Sequence, residues 1–288
     1  MSAFARSTFS AKSYAAFRPS YPSVLYRAIL SYHQLPTPAG TLLDLGCGHG
    51  LISRELSPHF ASVTAVDPSA GMVSQAKKMT MSTDSSNNIQ FQQGNAEDLA
   101  FVADKSLDMV VAGQAAHWFD YAKVWPNLAR TLKPGGTQAT EIMESFVYGF
   151  GEVAPGIEGM GSYWEPGRKI LRNLLREVVP PESEFTDLKR QLHEPGQQGQ
   201  GEDVAWQTNK MKLGAVEAYT RTFSCFNSWK DTYPDIKSRA EGGEGDVVDV
   251  MWDRMIDSVP EWKAMGDQWR EVEVVSDWGT YLLMARRR

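Results

Sequence analysis

The sequence contains few of the residues that would indicate a disulfide-stabilised, metal-binding or membrane-spanning protein. Only Cys47 and Cys225 occur among its 288 residues, and neither their number nor their spacing suits a disulfide framework or a zinc site. No apolar run approaches the roughly 20 residues that a membrane-spanning helix needs. We therefore expect no structural disulfide, no bound metal and no membrane partner, with a reducing compartment as the setting.

Positive charge is also scarce. Lys and Arg number 29 against 35 Asp and Glu, which gives a formal net charge of −6, whereas proteins that bind nucleic acid present a basic face to the phosphates. A small-molecule substrate is therefore expected and a nucleic-acid partner is not. The one dense basic run, residues 286–288, is interpreted as a solvated chain end.

The N-terminal residues lack the apolar core of a secretory signal. The first 14, MSAFARSTFSAKSY, contain Arg and Lys but no acid, so a mitochondrial presequence is an alternative. The cytoplasm is the expected location. The oligomeric state is left open between a monomer and a homodimer.

What is present is an alternation of strand and helix patterns between residues 41 and 142. Short apolar runs predict five strands, at 41–45, 62–66, 89–92, 107–111 and 137–142. Helical patterns at 51–57, 69–79 and 121–132 lie between them, and KPGG at 133–136 is interpreted as the stop of the third helix. The alternation indicates βαβ units around a parallel sheet.

The regular winding stops after residue 148, where glycine and proline become frequent. Helices predicted at 168–178, 211–222 and 247–259 form an added layer, and strands predicted at 271–276 and 280–285 are expected to rejoin the sheet. The 288 residues are interpreted as one elaborated α/β domain with an inserted cap.

The segment LLDLGCGHG, residues 42–50, carries the most informative pattern. A strand leads directly into Gly46, Gly48 and Gly50, and glycines let the backbone turn sharply and approach a ligand that a Cβ would exclude. The helix that follows offers N–H groups to an anion at its N-terminus. For S-adenosylmethionine that anion is the methionine carboxylate, and Asp44 can accept from the amino group or from a bridging water. A turn without a ligand is the alternative.

A dinucleotide site is the main competing interpretation of this segment. Its fingerprint requires a third glycine three residues after the second, and Leu51 occupies that position here. The G-x-G-x-G spacing therefore counts against NAD or FAD.

Two further polar segments follow strand ends. Asp67 ends the second strand, 21 residues after Gly46, where a carboxylate can bind both ribose hydroxyls or can cap the next helix. After the third strand, GNAEDL at 94–99 either meets an adenine edge or forms a solvated loop. Because the carboxyl ends of parallel strands share one edge of a sheet, the three segments together predict one site for a nucleoside-methionine ligand.

The loop after the fourth strand, residues 112–120, contains His117 and Trp118. In this architecture the loop flanks the transferable methyl group, so His117 can orient or deprotonate a nucleophile and Trp118 can form a wall of the pocket. A histidine that only packs in the core is the alternative. Alignment of the two reactants supplies most of the rate when the nucleophile is already an anion.

Several motifs together resemble class I methyltransferases of the UbiE/type 11 kind, namely LLDLGCGHG, AVDPSAGM (65–72), GNAEDL and LKPGG (132–136). Other segments resemble the fungal trans-aconitate methyltransferase family, namely YAAFRPSYP (14–22), AHWFD (116–120), AYTRTFSCFNSWK (218–230) and DWGTYLLMAR (277–286). The resemblance covers nearly the whole chain. RPSYP combined with AHWFD is more selective than the glycine motif, which assigns only the superfamily.

The resemblance implies a Rossmann-like α/β fold with a seven-stranded class I methyltransferase sheet. It implies S-adenosylmethionine as the cofactor, S-adenosylhomocysteine as the product, and methyl transfer to carboxylates of small acids or to related metabolites. The implied organisation is N-terminal lid helices at 1–40, a cofactor-binding core at 41–148, a helical cap with one core strand at 149–270, and terminal strands at 271–288 that complete the sheet.

The resemblance also implies individual site residues. The cofactor set is Tyr14, Arg18, Asp44, Gly46, Cys47, Gly48, Gly50, Asp67, Met72, Asn95, Ala96, Glu97 and Gln114. The substrate set is Tyr21, His117, Trp118, Glu141 and Arg221, with His117 as the catalytic candidate. An arginine in the lid and another in the cap would clamp a substrate carboxylate bidentately.

The departures from the family concern the substrate. Glu141 stands in ATEIMES, where the family tends to apolar and aromatic residues, and an acid there would repel a polycarboxylate. We therefore expect transfer to an oxygen, in a carboxylate or hydroxyl group, of a small acid or a fungal secondary metabolite other than trans-aconitate. The alternative is a protein that binds the cofactor without methylating and steers another reaction or partner in a biosynthetic pathway.

Overall fold

The computed structural model describes residues 11–17, 20–34, 40–81, 88–144, 152–164, 167–193, 208–277 and 279–288. The chain divides into two compact units. The first, which we call the sheet unit, comprises Ser20–Glu144, Gly167–Gln207 and Trp278–Arg288. The second, the helical unit, comprises Met1–Pro19, Ser145–Pro166 and Thr208–Asp277. Among the described residues, no helix has both the length and the apolar character needed to cross a membrane.

The regular elements alternate as the sequence predicts over the first half of the sheet unit. The helices are α1 (Ala11–Phe17), α2 (Ser23–His33), α3 (Leu51–Leu56), α4 (Ala70–Thr80), α5 (Tyr121–Thr131), α6 (Gly167–Arg172), α7 (Leu213–Thr220), α8 (Ser224–Thr232), α9 (Val247–Ser258) and α10 (Pro260–Lys263). The strands are β1 (Thr41–Leu45), β2 (Ser62–Asp67), β3 (Ile89–Gln93), β4 (Leu107–Gly113), β5 (Leu132–Glu144), β6 (Glu152–Ala154), β7 (Ile157–Glu158), β8 (Phe185–His193), β9 (Thr208–Lys212), β10 (Glu273–Asp277) and β11 (Gly279–Arg287).

Seven of these strands form one sheet in the order β3-β2-β1-β4-β5-β11-β8. The first five strands run parallel, and β11 is antiparallel to both β5 and β8. The predicted seven-stranded Rossmann-like sheet is therefore confirmed. The strand order reverses between β1 and β4, and open α/β sheets bind their ligands at the carboxyl ends of the strands beside such a reversal.

The sequence predicted that KPGG at 133–136 ends a helix, and in the structure this segment also interrupts the pairing of two strands. Leu107 of β4 pairs with Leu132 of β5, and the next pair joins Met109 to Thr137. Residues 133–136 therefore form a bulge inside the pairing of β4 with β5, and Gly135 supports it with a φ of +79°, a conformation that other residues rarely adopt.

Helix α2 packs against the sheet, which differs from the lid predicted for residues 1–40. Its buried residues Leu25, Tyr26 and Ile29 belong to one core cluster with Leu42 of β1 and Leu282 of β11. This amphipathic face buries apolar area against the sheet, so α2 is part of the core of the sheet unit.

The two predicted terminal strands have different partners. β11 lies in the large sheet and is buried along most of its length. β10 instead pairs with β9 in a separate two-stranded antiparallel sheet of the helical unit, so the expectation that it rejoins the large sheet is wrong. Val275 of β10 is 63% exposed, which shows that alternation of apolar residues alone does not place a strand in the main sheet.

The helix predicted at 168–178 is shorter in the structure. α6 ends at Arg172, and Leu174 and Leu175 adopt left-handed backbone conformations with φ of +49° and +50°. Both leucine side chains are buried in the same core cluster as β4. Their burial stabilises a conformation that breaks the helix earlier than the periodicity of the sequence suggests.

The basic chain end is docked, which corrects the interpretation of residues 286–288 as a solvated tail. Arg286 donates to the carbonyl oxygens of Tyr32 and Gly135, the second at 3.2 Å. Arg287 donates to the carbonyl oxygen of Ala129 at 2.7 Å. Tyr32 and Ala129 lie in the last turns of α2 and α5, so the two arginines bind the carbonyl ends of two helices, where cations are stabilising.

Candidate cofactor site

The loop after β1 has the backbone that its glycines predict. Gly46, Gly48 and Gly50 all adopt left-handed conformations, with φ of +69°, +55° and +82°. The N–H groups of Gly46 and Cys47 both donate to the carbonyl oxygen of Val66 in β2, at 2.8 and 3.0 Å. The loop is therefore held against the end of β2 before α3 begins at Leu51.

The three glycines face different surroundings. A Cβ on Gly46 would overlap the Cβ of Ala115, and a Cβ on Gly50 would lie 2.7 Å from the ring of Phe91. A Cβ on Gly48 would meet no atom within 4 Å. Gly46 thus lets the loop after β4 pack closely, and Gly50 does the same for the side chain of Phe91 in β3. Gly48 borders an open space that a ligand can enter.

Asp44 is a buried acid, and one of its two oxygen atoms lacks a hydrogen-bond partner among the described residues. Its side chain is on β1 and is 1% exposed. Oδ2 accepts a hydrogen bond from the hydroxyl of Ser53 at 2.5 Å, and Oδ1 has no partner among the described residues. Burial raises the pKa of Asp44 to about 7, against the opposing effect of the Ser53 hydrogen bond and with a further increase from the charge of Asp67.

Asp67 connects the glycine loop to the start of α4. Its Oδ2 accepts from the N–H of Gly48 at 2.9 Å and its Oδ1 accepts from the N–H of Ser69 at 2.8 Å. Burial raises the pKa of Asp67, and these two hydrogen bonds oppose the increase. Because each carboxylate oxygen carries a second lone pair, both retain capacity for a ligand hydroxyl. The helix-cap alternative applies instead to Ser69, whose hydroxyl accepts from Met72 N–H.

The segment after β3 has mixed environments. Asn95 is exposed, Ala96 is buried in the core, and Glu97 is half-buried. Oε1 of Glu97 accepts from the N–H of Asp120 at 3.0 Å. Glu97 therefore links the loop after β3 to the loop after β4.

The loop after β4 contains the catalytic candidate in a constrained turn. Gln114 adopts a φ of +52° without being glycine, a type of strain that is concentrated at functional sites. His117 is buried in the 3₁₀ turn Ala116–Trp118, and its ring centroid lies 4.8 Å from that of Trp118. A Cβ on Gly167 would lie 2.5 Å from the carbonyl oxygen of His117, so α6 packs tightly under this turn.

Tyr21 lies at the same end of β4. A Cβ on Gly113, the last residue of that strand, would be 3.0 Å from the hydroxyl oxygen of Tyr21 and would overlap Ile52 of α3. Tyr21 is half-buried. The structure thus brings this predicted substrate residue to the strand end from which the loop of His117 departs.

Two other predicted cofactor residues are buried beside the loop. Met72, in the first turn of α4, is 3% exposed. Cys47 is buried, its thiol lies 3.7 Å from the carbonyl oxygen of Gly48, and burial raises its pKa well above the ordinary value. The Cys47 thiol is therefore neutral at physiological pH and unsuited to act as a nucleophile.

Three predicted site residues cannot be placed in this site from the described side chains. Arg18 lies outside the described residues. Tyr14 is half-buried on α1 of the helical unit. The backbone of Glu141 in β5 pairs with Gly113 and Leu282, and its side chain is outside the described part.

Arg221, predicted to clamp a substrate carboxylate, is held by carboxylates of its own unit. Its guanidinium contacts Asp246, donates to Asp249 at 2.7 Å, and lies 3.4 Å from an oxygen of Glu217. These acids are 2%, 4% and 8% exposed. The contacts occupy the face of the guanidinium that bidentate binding of a substrate acid would require.

Sequence reasoning missed Ser53 and Ala115. Ser53 is 0% exposed and is the described partner of the Asp44 carboxylate, and Ala115 supports the Gly46 turn by contact. The available signal for Ser53 was a small polar residue between the apolar core positions Ile52 and Leu56 of α3. No sequence signal marks Ala115.

The reversal of the seven-stranded sheet thus brings together a glycine loop, a buried acid with one unpartnered oxygen and a second acid at the end of β2, which is the combination that the sequence predicts for a nucleoside-methionine ligand. This combination of sheet and site is that of a class I S-adenosylmethionine-dependent methyltransferase. Residues 43–140 match the family described as a methyltransferase domain. Among the described residues, no group of three or more His, Cys, Asp or Glu is placed to hold a metal ion.

One curated protein is similar to this chain in sequence, and one solved structure is similar to it in fold. A probable S-adenosylmethionine-dependent methyltransferase of Saccharomyces cerevisiae, CRG1, is 25% identical over 97% of this chain and 96% of its own length. A putative type II methyltransferase from Anaeromyxobacter dehalogenans has a similar fold, with a TM-score of 0.54 and 23% identity over 94% of this chain and 97% of its own.

The phosphoethanolamine N-methyltransferase 2 of Haemonchus contortus, solved in complex with S-adenosyl-L-methionine, also shares the fold. Its TM-score is 0.52 at 17% identity, and the match covers 98% of this chain but 58% of the nematode chain. At such identity the likeness concerns the fold alone. The acceptor of this protein therefore has to be argued from its own residues.

Proposed function

We propose that the protein transfers the methyl group of S-adenosylmethionine to an oxygen, in a carboxylate or hydroxyl group, of a small-molecule acid or secondary metabolite. The proposal that the protein binds this cofactor rests on Oδ1 of Asp44, a buried acceptor beside the glycine loop that has no partner among the described residues. An unpaired buried carboxylate is destabilising. A cationic ligand at this position would supply the missing donor.

The residues present fit this cofactor. Asp44 would accept from its ammonium group, the open space at Gly48 admits its methionine part, and the free lone pairs of Asp67 would accept from the ribose hydroxyls. Met72 and Asn95–Glu97 complete the proposed adenine side. When bound, S-adenosylmethionine supplies a methyl group on a positively charged sulfur atom.

The acceptor side would be formed by the loop after β4 and by Tyr21. His117 would orient the acceptor and take up its proton at a ring nitrogen, Trp118 would form a wall of the pocket, and the strained Gln114 turn would fix both. An acceptor that is already an anion needs no base, so alignment would supply most of the rate. Transfer to oxygen rests on the resemblance to methyltransferases of small acids, and the roles of Glu141 and of the lid residues Tyr14 and Arg18 remain predictions.

The test is a transfer assay with S-adenosylmethionine labelled in its methyl group. A panel of carboxylic acids, phenols and amines is offered, and each labelled product is treated with alkali. Methyl esters release labelled methanol under these conditions, whereas methyl ethers and N-methyl products do not. Ester or ether products support the proposal, and label found only on nitrogen or carbon would contradict it.

The same experiment addresses the alternative of a protein that binds the cofactor without methylating. Tight binding of S-adenosylhomocysteine with no transfer to any member of a broad panel would favour that alternative. Absence of binding to either form of the cofactor would contradict the proposed function altogether.

A further inference from the structure

Ser53 is a buried hydroxyl whose position concerns the cofactor site. It lies in the first turn of α3, three residues after Gly50, and none of its surface is exposed. Its hydroxyl donates to Oδ2 of Asp44 at 2.5 Å, a length typical of a hydrogen bond to a charged oxygen. The hydrogen bond joins the helix after the glycine loop to the strand before it.

This contact makes the two oxygens of Asp44 different. Oδ2 has its donor in Ser53, whereas Oδ1 has none among the described residues. A carboxylate without the Ser53 contact could rotate and present either oxygen. With the contact, the orientation of the carboxylate is fixed, and Oδ1 is the oxygen that lacks a hydrogen-bond donor.

The other groups around Asp44 do not compensate its charge. The negatively charged Asp67 faces Asp44 from β2, and the neutral thiol of Cys47 faces it from the glycine loop. The residues in register with Asp44 are apolar on both sides, Val111 in β4 and Ala65 in β2. The guanidinium of Arg54, on α3, is directed to the carbonyl oxygen of His49 at 2.6 Å. Burial therefore raises the pKa of Asp44 to about 7, and the acid holds its proton over part of the physiological range.

We propose that Ser53 is a positioning residue that directs Oδ1 of Asp44 to the cofactor ammonium group, so that binding of the cofactor displaces the proton of Asp44 into solvent. This inference rests on the proposed function, because it takes the ligand to be S-adenosylmethionine or its product. The O–H bond of the carboxylic acid breaks and its proton passes to water or buffer, while no bond between heavier atoms changes. The carboxylic acid becomes a carboxylate paired with the ligand cation, and one proton leaves.

The direction of the pH dependence follows from this exchange. Below the pKa of Asp44 in the free protein, binding must first remove a proton, so the affinity falls as the pH falls. Above that pKa the carboxylate is already charged and the affinity reaches a plateau. An α-ammonium group loses its proton only at about pH 7.7–8.0 or above, so between about pH 5.5 and 7 the ligand keeps its charge and adds no opposing change.

The first measurement needs no variant. S-Adenosylhomocysteine is titrated into the wild-type protein at about pH 6 in two buffers with different ionisation enthalpies, and the difference in heat gives the protons released. We expect close to one proton per ligand near pH 6 and a decreasing number toward pH 7.5. Asp44→Asn should release almost none, which separates Asp44 from the neighbouring Asp67. Release of no proton by the wild-type protein near pH 6 would overturn the inference.

The second measurement separates positioning from packing. Ser53→Ala removes the hydrogen bond that stabilises the charged acid, so the midpoint of affinity against pH should move upward by about one unit, and Ser53→Thr should restore it. Ser57→Ala is the matched control, because Ser57 is 1% exposed on the same segment and its hydroxyl donates to the carbonyl oxygen of Arg54 at 2.9 Å, away from Asp44. An equal shift in both alanine variants would overturn the role of Ser53.

The outcomes distinguish this inference from the function on which it rests. Binding of S-adenosylhomocysteine at pH 8 that is independent of pH down to 6 would leave the proposed function standing and overturn the proton exchange. Absence of binding at pH 8 in folded wild-type protein would overturn both. A melting curve for each variant shows whether a lost affinity reflects lost folding.

Discussion

Two groups of buried acids, one in each unit of the molecule, lie in opposite surroundings. A further buried acid of the sheet unit, Asp108, pairs with Lys133 at 2.7 Å and belongs to neither group. In the sheet unit, Asp44 and Asp67 are hydrogen-bonded only to a hydroxyl and to backbone N–H groups in the described structure. In the helical unit, three buried acids surround Arg221. The buried charge is thus left uncompensated in one place and neutralised in the other.

The pKa directions express the same contrast. Burial raises the pKa of Asp44 to about 7. Burial also acts to raise the pKa of Asp249, but hydrogen bonds from the N–H groups of Asp246 and Arg239 and the charge of Arg221 outweigh it, and the pKa is lowered. A buried acid without a cation indicates a ligand site, whereas a buried acid with one indicates a structural ion pair.

The largest expected effect is on the paired acids. Arg221→Met would leave Asp246 and Asp249 as buried charges without their cation, whereas Glu217 would keep Arg270 at 2.7 Å. The free energy of unfolding should fall by about 3–5 kcal/mol. Urea denaturation measures this change. If the arginine is structural, S-adenosylhomocysteine should bind the folded fraction of the variant with unchanged affinity.

The control for this prediction is another arginine of the helical unit. Arg239 pairs with Asp253, and both side chains are about half exposed, so Arg239→Met should lower the free energy of unfolding by about 1 kcal/mol or less. A variant of Arg221 with native stability and lost methyl transfer would contradict the structural role and restore the substrate clamp that the sequence suggested.

The next effect concerns the unpaired acids. Asp67→Asn replaces one acceptor oxygen by an NH₂ group, which then faces the N–H of either Gly48 or Ser69 as a second donor. We expect the dissociation constant of S-adenosylhomocysteine to rise about 100-fold or more, roughly 3 kcal/mol, as measured by calorimetry. Asp98→Asn, an exposed acid of the neighbouring polar loop, should change it less than threefold. Equal effects of the two substitutions would contradict the role of Asp67.

The different predictability of these residues has a physical reason. The glycine loop and Asp67 could be predicted because their spacing along the chain places them at strand ends, and the parallel sheet then brings strand ends together. The same reasoning failed for α2, since an amphipathic helix has the same pattern whether it closes over a ligand or packs against a sheet.

The partners of Ser53 and Arg221 could not be predicted, because they depend on which side chains come into contact when the chain folds. Ser53 meets Asp44 nine positions earlier, across the glycine turn. Arg221 meets Asp246 and Asp249 25 and 28 positions later. The sequence alone showed an arginine in a predicted cap. It could not show whether that arginine is free to bind a substrate or is already paired with acids of its own unit.

A third prediction tests the cost of leaving Asp44 unpaired. Below about pH 3.9 the acid is protonated in both the folded and the unfolded state, and between there and its folded pKa of about 7 only the folded state retains the proton. The free energy of unfolding should therefore decrease as the pH rises through this range, by about 3 kcal/mol between pH 4.5 and 7, and level off above it.

Comparison with Asp44→Asn isolates this contribution. Burial lowers the pKa of His33 to about 4, so that group stabilises the fold increasingly between pH 4 and 6.5 and opposes the trend of Asp44 in the wild-type protein. The difference in stability between the variant and the wild-type protein cancels His33 and should grow with pH. A difference that stays constant from pH 4.5 to 7.5 would show that Asp44 is charged throughout.

The smallest effect is expected where a cation binds mainly carbonyl groups, as Arg286 does beside the half-exposed carboxylate of Asp187 at 3.3 Å. Arg286 binds the carbonyl end of α2 and lies over the ring of Tyr32 at 4.6 Å, so Arg286→Ala should lower the free energy of unfolding by about 1–2 kcal/mol. Arg288, at the exposed chain end, donates to the carbonyl oxygen of Glu182 at 2.8 Å, and Arg288→Ala should lower it by about 0.5 kcal/mol or less. Thermal unfolding of the two variants at equal pH measures the difference. A loss for Arg286 as large as that for Arg221 would mean that helix carbonyl ends stabilise a cation as strongly as three buried carboxylates do, and the contrast between paired and unpaired acids would then lose its energetic basis.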